Sequence, residues 1–171
     1  MEDIKSYNEL STEEREQIDL LIQTEFGHLD FITKLRWATP DYSVRKFENN
    51  ELVAFYNVVL RTVMFNSKPQ LTMGISNVIT PIAHRGQKHS FNLLQDTQYK
   101  MLQQTGADFG LLLCAEDMIP FYNRLGWQEL SCRIYHDQPS EKVLWPAKAM
   151  SLNLPELEIG GLDLLLNGPP W

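Results

Sequence analysis

The sequence predicts an α+β domain, with a mixed, mostly antiparallel central sheet flanked by helices. Three observations carry this. A helical apolar period near the N-terminus gives way at Tyr42 to period-two alternation, which lasts to about Thr80. Strand-like and helix-like segments then alternate to the end, and hairpins followed by helical crossovers build a mixed sheet. With 171 residues the chain reads as one domain over 1–171, long enough to bury well over half of its unfolded surface.

Each element has a local cause. Ser11-Thr12-Glu13-Glu14 opens the first helix as a capping box, and Ile18, Leu21, Ile22 and Phe26 follow at helical spacing. Gly27 to Asp41 is irregular; Phe31, Leu35 and Trp37 there fit a core or a substrate cleft. YSVRKFEN and ELVAFYNVVLRTVMF read as strands joined at Asn49-Asn50. After a turn at Asn66 to Pro69, QLTMGISNVIT is a third strand, with a bulge or close backbone approach expected at Gly74. Ser90 to Thr105 is a helix with Phe91, Leu94, Gln98 or Tyr99, and Leu102 on one face, ended by Gly106.

The apolar run FGLLLCA is a strand covered on both faces. Glu116 and Asp117 open a short helix, MIPFYNRL, stopped by Gly126. Trp127 to His136 alternates as one strand, DQPSEKVLWPAK is a polar connection, and AMSLNL is a last strand before the tail ELEIGGLDLLLNGPPW.

Composition narrows the function classes. With 43% apolar and 22% charged residues the chain is ordinary globular material. A formal charge of -7 argues against a nucleic-acid binder, which needs surplus Lys and Arg on one face, and favours a cationic small partner. The acidic N-terminus is no secretory signal, and no apolar run approaches the ~18 residues that span a bilayer. A cytoplasmic protein with no membrane partner, monomeric or homodimeric, is expected. Cys114 and Cys132 form no metal-type pair and read as small buried hydrophobes; no metal is expected.

The chemistry concentrates between Gly74 and Ser90, GISNVITPIAHRGQKHS. A β-branched run leads through Pro81 and Arg85-Gly86 into a helix N-terminus, a place where backbone donors and the helix dipole hold an anion.

Here the chain resembles the GCN5-related N-acetyltransferase (GNAT) superfamily. Those proteins carry (Arg or Gln)-x-x-Gly-x-(Gly or Ala) between a central strand and a long helix, and the six positions here are Arg85, Gly86, Gln87, Lys88, His89 and Ser90. The resemblance implies that these residues wrap the pyrophosphate of acetyl coenzyme A. Lys88 stands where the family usually has glycine, so its side chain can crowd the loop or pair with a phosphate. The resemblance also implies that the backbone of Val78, Ile79 and Thr80 holds the pantetheine arm.

The family's Phe-Tyr-x-x-x-Gly-(Phe or Trp) motif is similar to Phe121-Tyr122-Asn123-Arg124-Leu125-Gly126-Trp127, and it makes Tyr122 the general acid for the departing thiolate. The chemistry is sound, because a phenol of pKa ~10 is protonated where a thiol of pKa ~8.5 leaves as an anion.

The ending, GGLDLLLNGPPW, resembles the tail of the aminoglycoside 2'-N-acetyltransferase branch, where a terminal carboxylate lies near the amine substrate. This branch usually has an acidic residue where Pro169 stands. By that analogy Trp171 faces the acceptor; equally, it is a hydrophobic plug closing the sheet. A base is harder to find. The branch's glutamate aligns with Ser76, and Asn77 beside it can only position a water or the substrate. His84 and His89 are the histidines placed to touch the cofactor.

The function expected is therefore acetyl transfer from acetyl-CoA to a primary amine of a small cationic acceptor by direct attack. Two alternatives stand beside it: an inactive acyl-CoA-binding sensor or interaction protein, and an acyltransferase using a longer acyl chain.

Overall fold

The computed structural model describes residues 1–154 and 163–171. Ten strands and four helices follow in the order β1 (Glu2–Ser6), α1 (Thr12–Phe26), α2 (Asp30–Lys34), β2 (Tyr42–Glu48), β3 (Glu51–Phe65), β4 (Lys68–Ile79), α3 (His89–Thr105), β5 (Phe109–Cys114), α4 (Ile119–Asn123), β6 (Gln128–Glu129), β7 (Arg133–Asp137), β8 (Lys142–Leu144), β9 (Lys148–Leu152) and β10 (Asp163–Leu165). The strands form one mixed sheet in the order β6-β9-β5-β4-β3-β10-β7-β8, with β2 paired onto the first half of β3 and β1 onto β2. The predicted α+β class, with its mixed sheet flanked by helices, is the observed one. No helix among the described residues is long and apolar enough to cross a membrane.

The central hairpin forms for the predicted reason: Asn49 and Asn50 both take positive φ, 50° and 64°, as a two-residue turn between β2 and β3 requires. β3 is long enough to hold two neighbours on one edge, β2 beside residues 51–58 and β10 beside Met64 and Phe65. Its other edge pairs with β4. Among the described residues only β5 against β4 and β10 against β7 are parallel.

The two faces of this sheet carry separate cores. On one, α3 and α4 cover Val44, Tyr56, Val58, Met73, Ile75 and Leu112. On the other, α1 packs Ile18 onto Phe55 and Ile79 near the top, and Trp145 and Trp171 pack with Val59, Phe65, Phe109 and Leu111 below. Gln98, not Tyr99, is the residue α3 turns inward: its amide donates to Leu125 O at 2.7 Å and accepts from Trp127 Nε1 at 2.8 Å, while Tyr99 is 49% exposed. This clasp ties α3 to the chain just after α4.

Several expectations change. Trp127 to His136 is not one strand: Leu130, buried, donates its N–H to Ala149 O, and the chain then crosses from β6 beside β9 to β7 beside β10. The alternating pattern survives the break because both pieces keep one apolar face. β1 carries no apolar signal and forms through its pairing with β2; Asp3 meets the buried Arg45 there. The polar connection after His136 contains β8. MIPFYNRL is helical only over Ile119–Asn123, preceded by a 3-10 turn at Glu116–Met118. Gly74 answers a close approach and not a bulge, since a Cβ there would lie 2.2 Å from the Trp171 ring. Residues 156–162 of the tail ELEIGGLDLLLNGPPW lie outside the described residues. Both cysteines are half-buried, and burial pushes each thiol up to about 11.

The capping box of α1 is complete. Glu14 N donates to Ser11 Oγ at 3.2 Å and Ser11 N to Glu14 Oε2 at 2.7 Å. Glu14 also accepts from Lys5 at 2.8 Å and from Arg45 at 2.7 Å, and these donors hold its carboxyl down at about 2, the Lys5 bond weighing most. A carboxyl lowered on folding stabilises the protein above its unfolded pKa of 4.5 and loses that contribution as pH falls toward about 2. Glu14→Gln is expected to cost about 1–2 kcal/mol through the cap and the pairing of Arg45. Its melting temperature should fall by a few degrees at pH 7, with the difference from wild type shrinking as the melts are repeated down to pH 3.

Gly74→Ala tests the close approach. Overpacking of this kind costs about 1–3 kcal/mol, and an equilibrium denaturant melt should show the loss largely restored in the double variant with Trp171→Leu, which shortens the side chain it meets.

Candidate active site

The site begins where two parallel strands part. β4 and β5 stay in register from Thr72 beside Phe109 to Ile75 beside Leu112, and no further. Past that point β4 turns away. Asn77 takes φ 53°, and the pairing with β3 slips from Ser76 opposite Asn57 to Ile79 opposite Phe55, so Asn77 and Val78 together face Tyr56. A bulge of this kind bends and twists its strand. The backbone from Ser76 to Ile79 therefore has β3 on one edge and no strand neighbour on the other among the described residues, which leaves peptide groups free to pair with an extended ligand.

Beyond β4 the chain makes a loop that leads into α3, as the sequence predicts. Pro81 starts a 3-10 turn over Ile82–His84, Arg85 is extended, Gly86 has φ 79° and Lys88 has φ 62°. α3 then begins without a side-chain cap on its first N–H groups, so they are available to a ligand. The loop is pinned at its base: the Thr80 and Ser90 hydroxyls hydrogen-bond each other, and Arg85 Nε donates to Thr80 O at 3.2 Å. The Arg85 guanidinium also pairs with Glu25 at the end of α1. His84 Nε2 lies 3.5 Å from Glu51 and His89 Nδ1 3.4 Å from Glu48, both carboxylates flanking the β2–β3 turn.

These residues enclose a cavity of about 390 Å3. Val78, Ile79 and Thr80 line it from β4, Arg85, Gly86, Lys88, His89 and Ser90 from the loop and α3. Gln87 is exposed and stands outside its walls. Five lining residues carried no assignment in the sequence: Glu25, Phe91, Met118, Phe121 and Arg124. Phe121 and Arg124 lie inside the Tyr122 motif, so their spacing was a signal; Glu25 arrives from a distant helix and had none. Arg124 packs its guanidinium 5.7 Å from the Phe91 ring centre. A larger cavity of about 680 Å3, lined by Leu130, Cys132, Ile134 and Trp145 among others, contains none of the motif residues.

Tyr122 is not among the residues that line the cavity of about 390 Å3; it is buried on the face covered by α3, next to Phe121, which does line it. Its ring meets Phe121 edge-on at 5.0 Å and Trp127 at 6.3 Å, and it is 6% exposed. Its hydroxyl has no hydrogen-bond partner among the described residues. Burial first, and then the neighbouring Cys114 at the end of β5, raise its pKa above 10, so the phenol stays protonated at neutral pH.

The two residues expected on the acceptor side lie apart. Asn77 is half-buried in the bulge. Trp171 is 4% exposed on the opposite face from Tyr122; its Nε1 donates to Leu111 O at 3.3 Å, its ring fills the space over Gly74, and Arg61 lies 5.4 Å above it. Arg61 Nη1 also donates to Pro169 O at 2.6 Å. That packing is the plug arrangement.

Residues 34–130 match the family described as the acetyltransferase (GNAT) domain. Among solved structures, the chain is similar to ElaA of Escherichia coli at 16% identity, covering 89% of this chain and 98% of that one with a TM-score of 0.63. A GNAT family acetyltransferase of Brucella melitensis, solved with acetyl-CoA, aligns at 13% identity over 95% and 94% with a TM-score of 0.59. The GNAT family N-acetyltransferase YhbS of Escherichia coli, solved with CoA, aligns at 12% over 97% and 89% with a TM-score of 0.62. No curated protein matches the chain by sequence.

The loop makes opposite demands at its two left-handed positions. Nothing lies within 4 Å of a Cβ added at Gly86, so Gly86→Ala should cost about 1 kcal/mol purely through its φ of 79°. Lys88→Gly should instead raise stability by about 0.5–1 kcal/mol, since a lysine already bears that strain at φ 62°. Paired thermal melts of the two variants check the opposite signs.

Proposed function

We propose that this chain, which belongs to the GNAT acetyltransferase family, moves an acetyl group from acetyl-CoA to a primary amine of a small cationic acceptor by direct attack, with Tyr122 as general acid. The observation that carries this reading is the continuity of three features: the open edge of β4 at Val78 to Thr80, the uncapped start of α3, and a protonated phenol beside the end of β5.

Each feature has a role along one ligand. The peptide groups of Val78, Ile79 and Thr80 pair with the amides of the pantetheine arm as an added strand would, the Thr80 carbonyl accepting from Arg85 Nε as well. The pyrophosphate takes the N–H groups of Gln87 to Ser90 at the positive end of α3. Arg85, Lys88 and Arg124 supply positive charge around it, with Arg85 shared between the phosphates and Glu25. Acetyl-CoA is a co-substrate here, consumed in each turnover.

At the thioester, the acceptor nitrogen attacks the carbonyl carbon, a C–N bond forms and the C–S bond breaks. The Tyr122 hydroxyl donates to the departing sulfur, and the proton lost by the nitrogen restores the balance. An alkyl amine of pKa ~10.4 is mostly protonated at neutral pH, so the acceptor must shed a proton before it attacks. The formal charge of -7 supports attraction of a cationic acceptor, and the tail's likeness to the aminoglycoside 2'-N-acetyltransferase branch puts aminoglycosides among those to test. Asn77 is the residue proposed on the acceptor side, with Trp171, packed over Gly74, as a support for β4.

Calorimetry with acetyl-CoA, followed by thiol release over aminoglycosides, polyamines and amino sugars, tests the reading. Tyr122→Phe should cut thiol release by ~10²-fold or more while leaving acetyl-CoA affinity within a few-fold. Absence of acetyl-CoA binding at millimolar concentration would overturn the proposal, and binding without transfer to any amine would favour the sensor reading.

A further inference from the structure

Ser43 and Asn57 sit directly opposite one another in β2 and β3, and both are 0% exposed. Neither is satisfied: Ser43 Oγ and both amide atoms of Asn57 lack a hydrogen-bond partner among the described residues. Across its other edge Asn57 pairs with Ser76 of β4, which is half-buried. The three residues thus form one row running from the sheet interior to the strand that splays.

The row lies on the face opposite Tyr122. Alternation along β3 puts Asn57 with Val59 and Val63, which belong to the core beneath Trp171, while Tyr56 and Val58 face α3. Its level is also fixed. Ser76 follows Ile75, the last residue of β4 paired to β5, and precedes the bulge at Asn77. A thioester carried in the splay with its sulfur toward Tyr122 therefore presents its other side to this row. Buried amides without protein partners are met by internal water, provided that several polar groups converge on it.

We propose that Ser43, Asn57 and Ser76 hold internal water at the splay, and that this water orients the acceptor's amino group toward the thioester carbonyl, making Asn57 a positioning residue. A water that donates to Asn57 Oδ1 and to Ser43 Oγ keeps a lone pair for one N–H of the incoming amine, and Ser76 marks where the row opens to the cleft. The water site stands on the buried groups alone; the positioning role rests on the acetyl-transfer reading.

A crystal structure of this chain showing ordered solvent, together with thiol release from acetyl-CoA using spermidine and kanamycin as probes, tests both halves. Water within hydrogen-bond distance of the Asn57 amide and Ser43 Oγ is expected; a dry row overturns the water site. Asn57→Leu should lower kcat/KM for the amine by ~10-fold or more, the worth of about one hydrogen bond, with the acetyl-CoA Kd unchanged. Asn57→Ser should keep most of the activity, and Ser76→Ala, at a half-buried position, should lower kcat/KM for the amine as Asn57→Leu does. An Asn57→Leu protein that is folded, binds acetyl-CoA and acetylates the amine like wild type overturns the positioning role. Should wild type bind acetyl-CoA yet release no thiol with either amine, the transfer reading fails and the positioning role with it, while the crystal structure still decides the water site.

Discussion

The parting of β4 from β5 after Ile75 and Leu112 is the constraint on which the site depends. A buried parallel sheet normally pairs every peptide group, because an unpaired one in the interior is costly. Here the pairing is given up over Ser76 to Ile79, and the strand is re-aimed by one residue, Asn77, held at φ 53°. Asparagine tolerates that conformation better than most residues. The hydrophobic residues on either side keep the geometry in place: Ile75 is anchored in the core under α3, and Ile79 in the core under α1.

Two supports keep the opening from collapsing. On one face Gln98 ties α3 to Leu125 and Trp127, which fixes α4 and with it Tyr122. On the other, the Trp171 ring occupies the space that Gly74 leaves free, and Arg61 holds both the ring and the backbone just before it. A side chain at residue 74 would push the tail off the sheet at the level just below the splay. Gly74, where the sequence leads one to expect a bulge or a close approach, is the position where the C-terminal segment docks.

Side chains of the loop meet carboxylates from distant elements. Arg85 meets Glu25, His84 meets Glu51, and His89 meets Glu48. The loop is therefore tied to α1 through Arg85 and to the β2–β3 turn through the two histidines, so its geometry depends on elements far away in the sequence.

The sequence by itself determined the parts with a local cause. The capping box at Ser11, the paired asparagines of the hairpin, the left-handed end of α3 at Gly106 and the strand, loop and helix from Ile75 into α3 depend on residues within a few positions of one another, and each was legible. So was the spacing of the Tyr122 motif. What only the tertiary structure decided is how distant pieces meet. The path of Leu130 to Cys132 across the sheet depends on a bond to Ala149, the seat of Trp171 on a glycine 97 residues earlier, and the polar row of Ser43, Asn57 and Ser76 on the register of three strands. Glu25 reaches the loop before α3 from α1. None of these leaves a local pattern, because strand register and cross-chain packing are fixed by the fit of whole surfaces and not by neighbours along the chain.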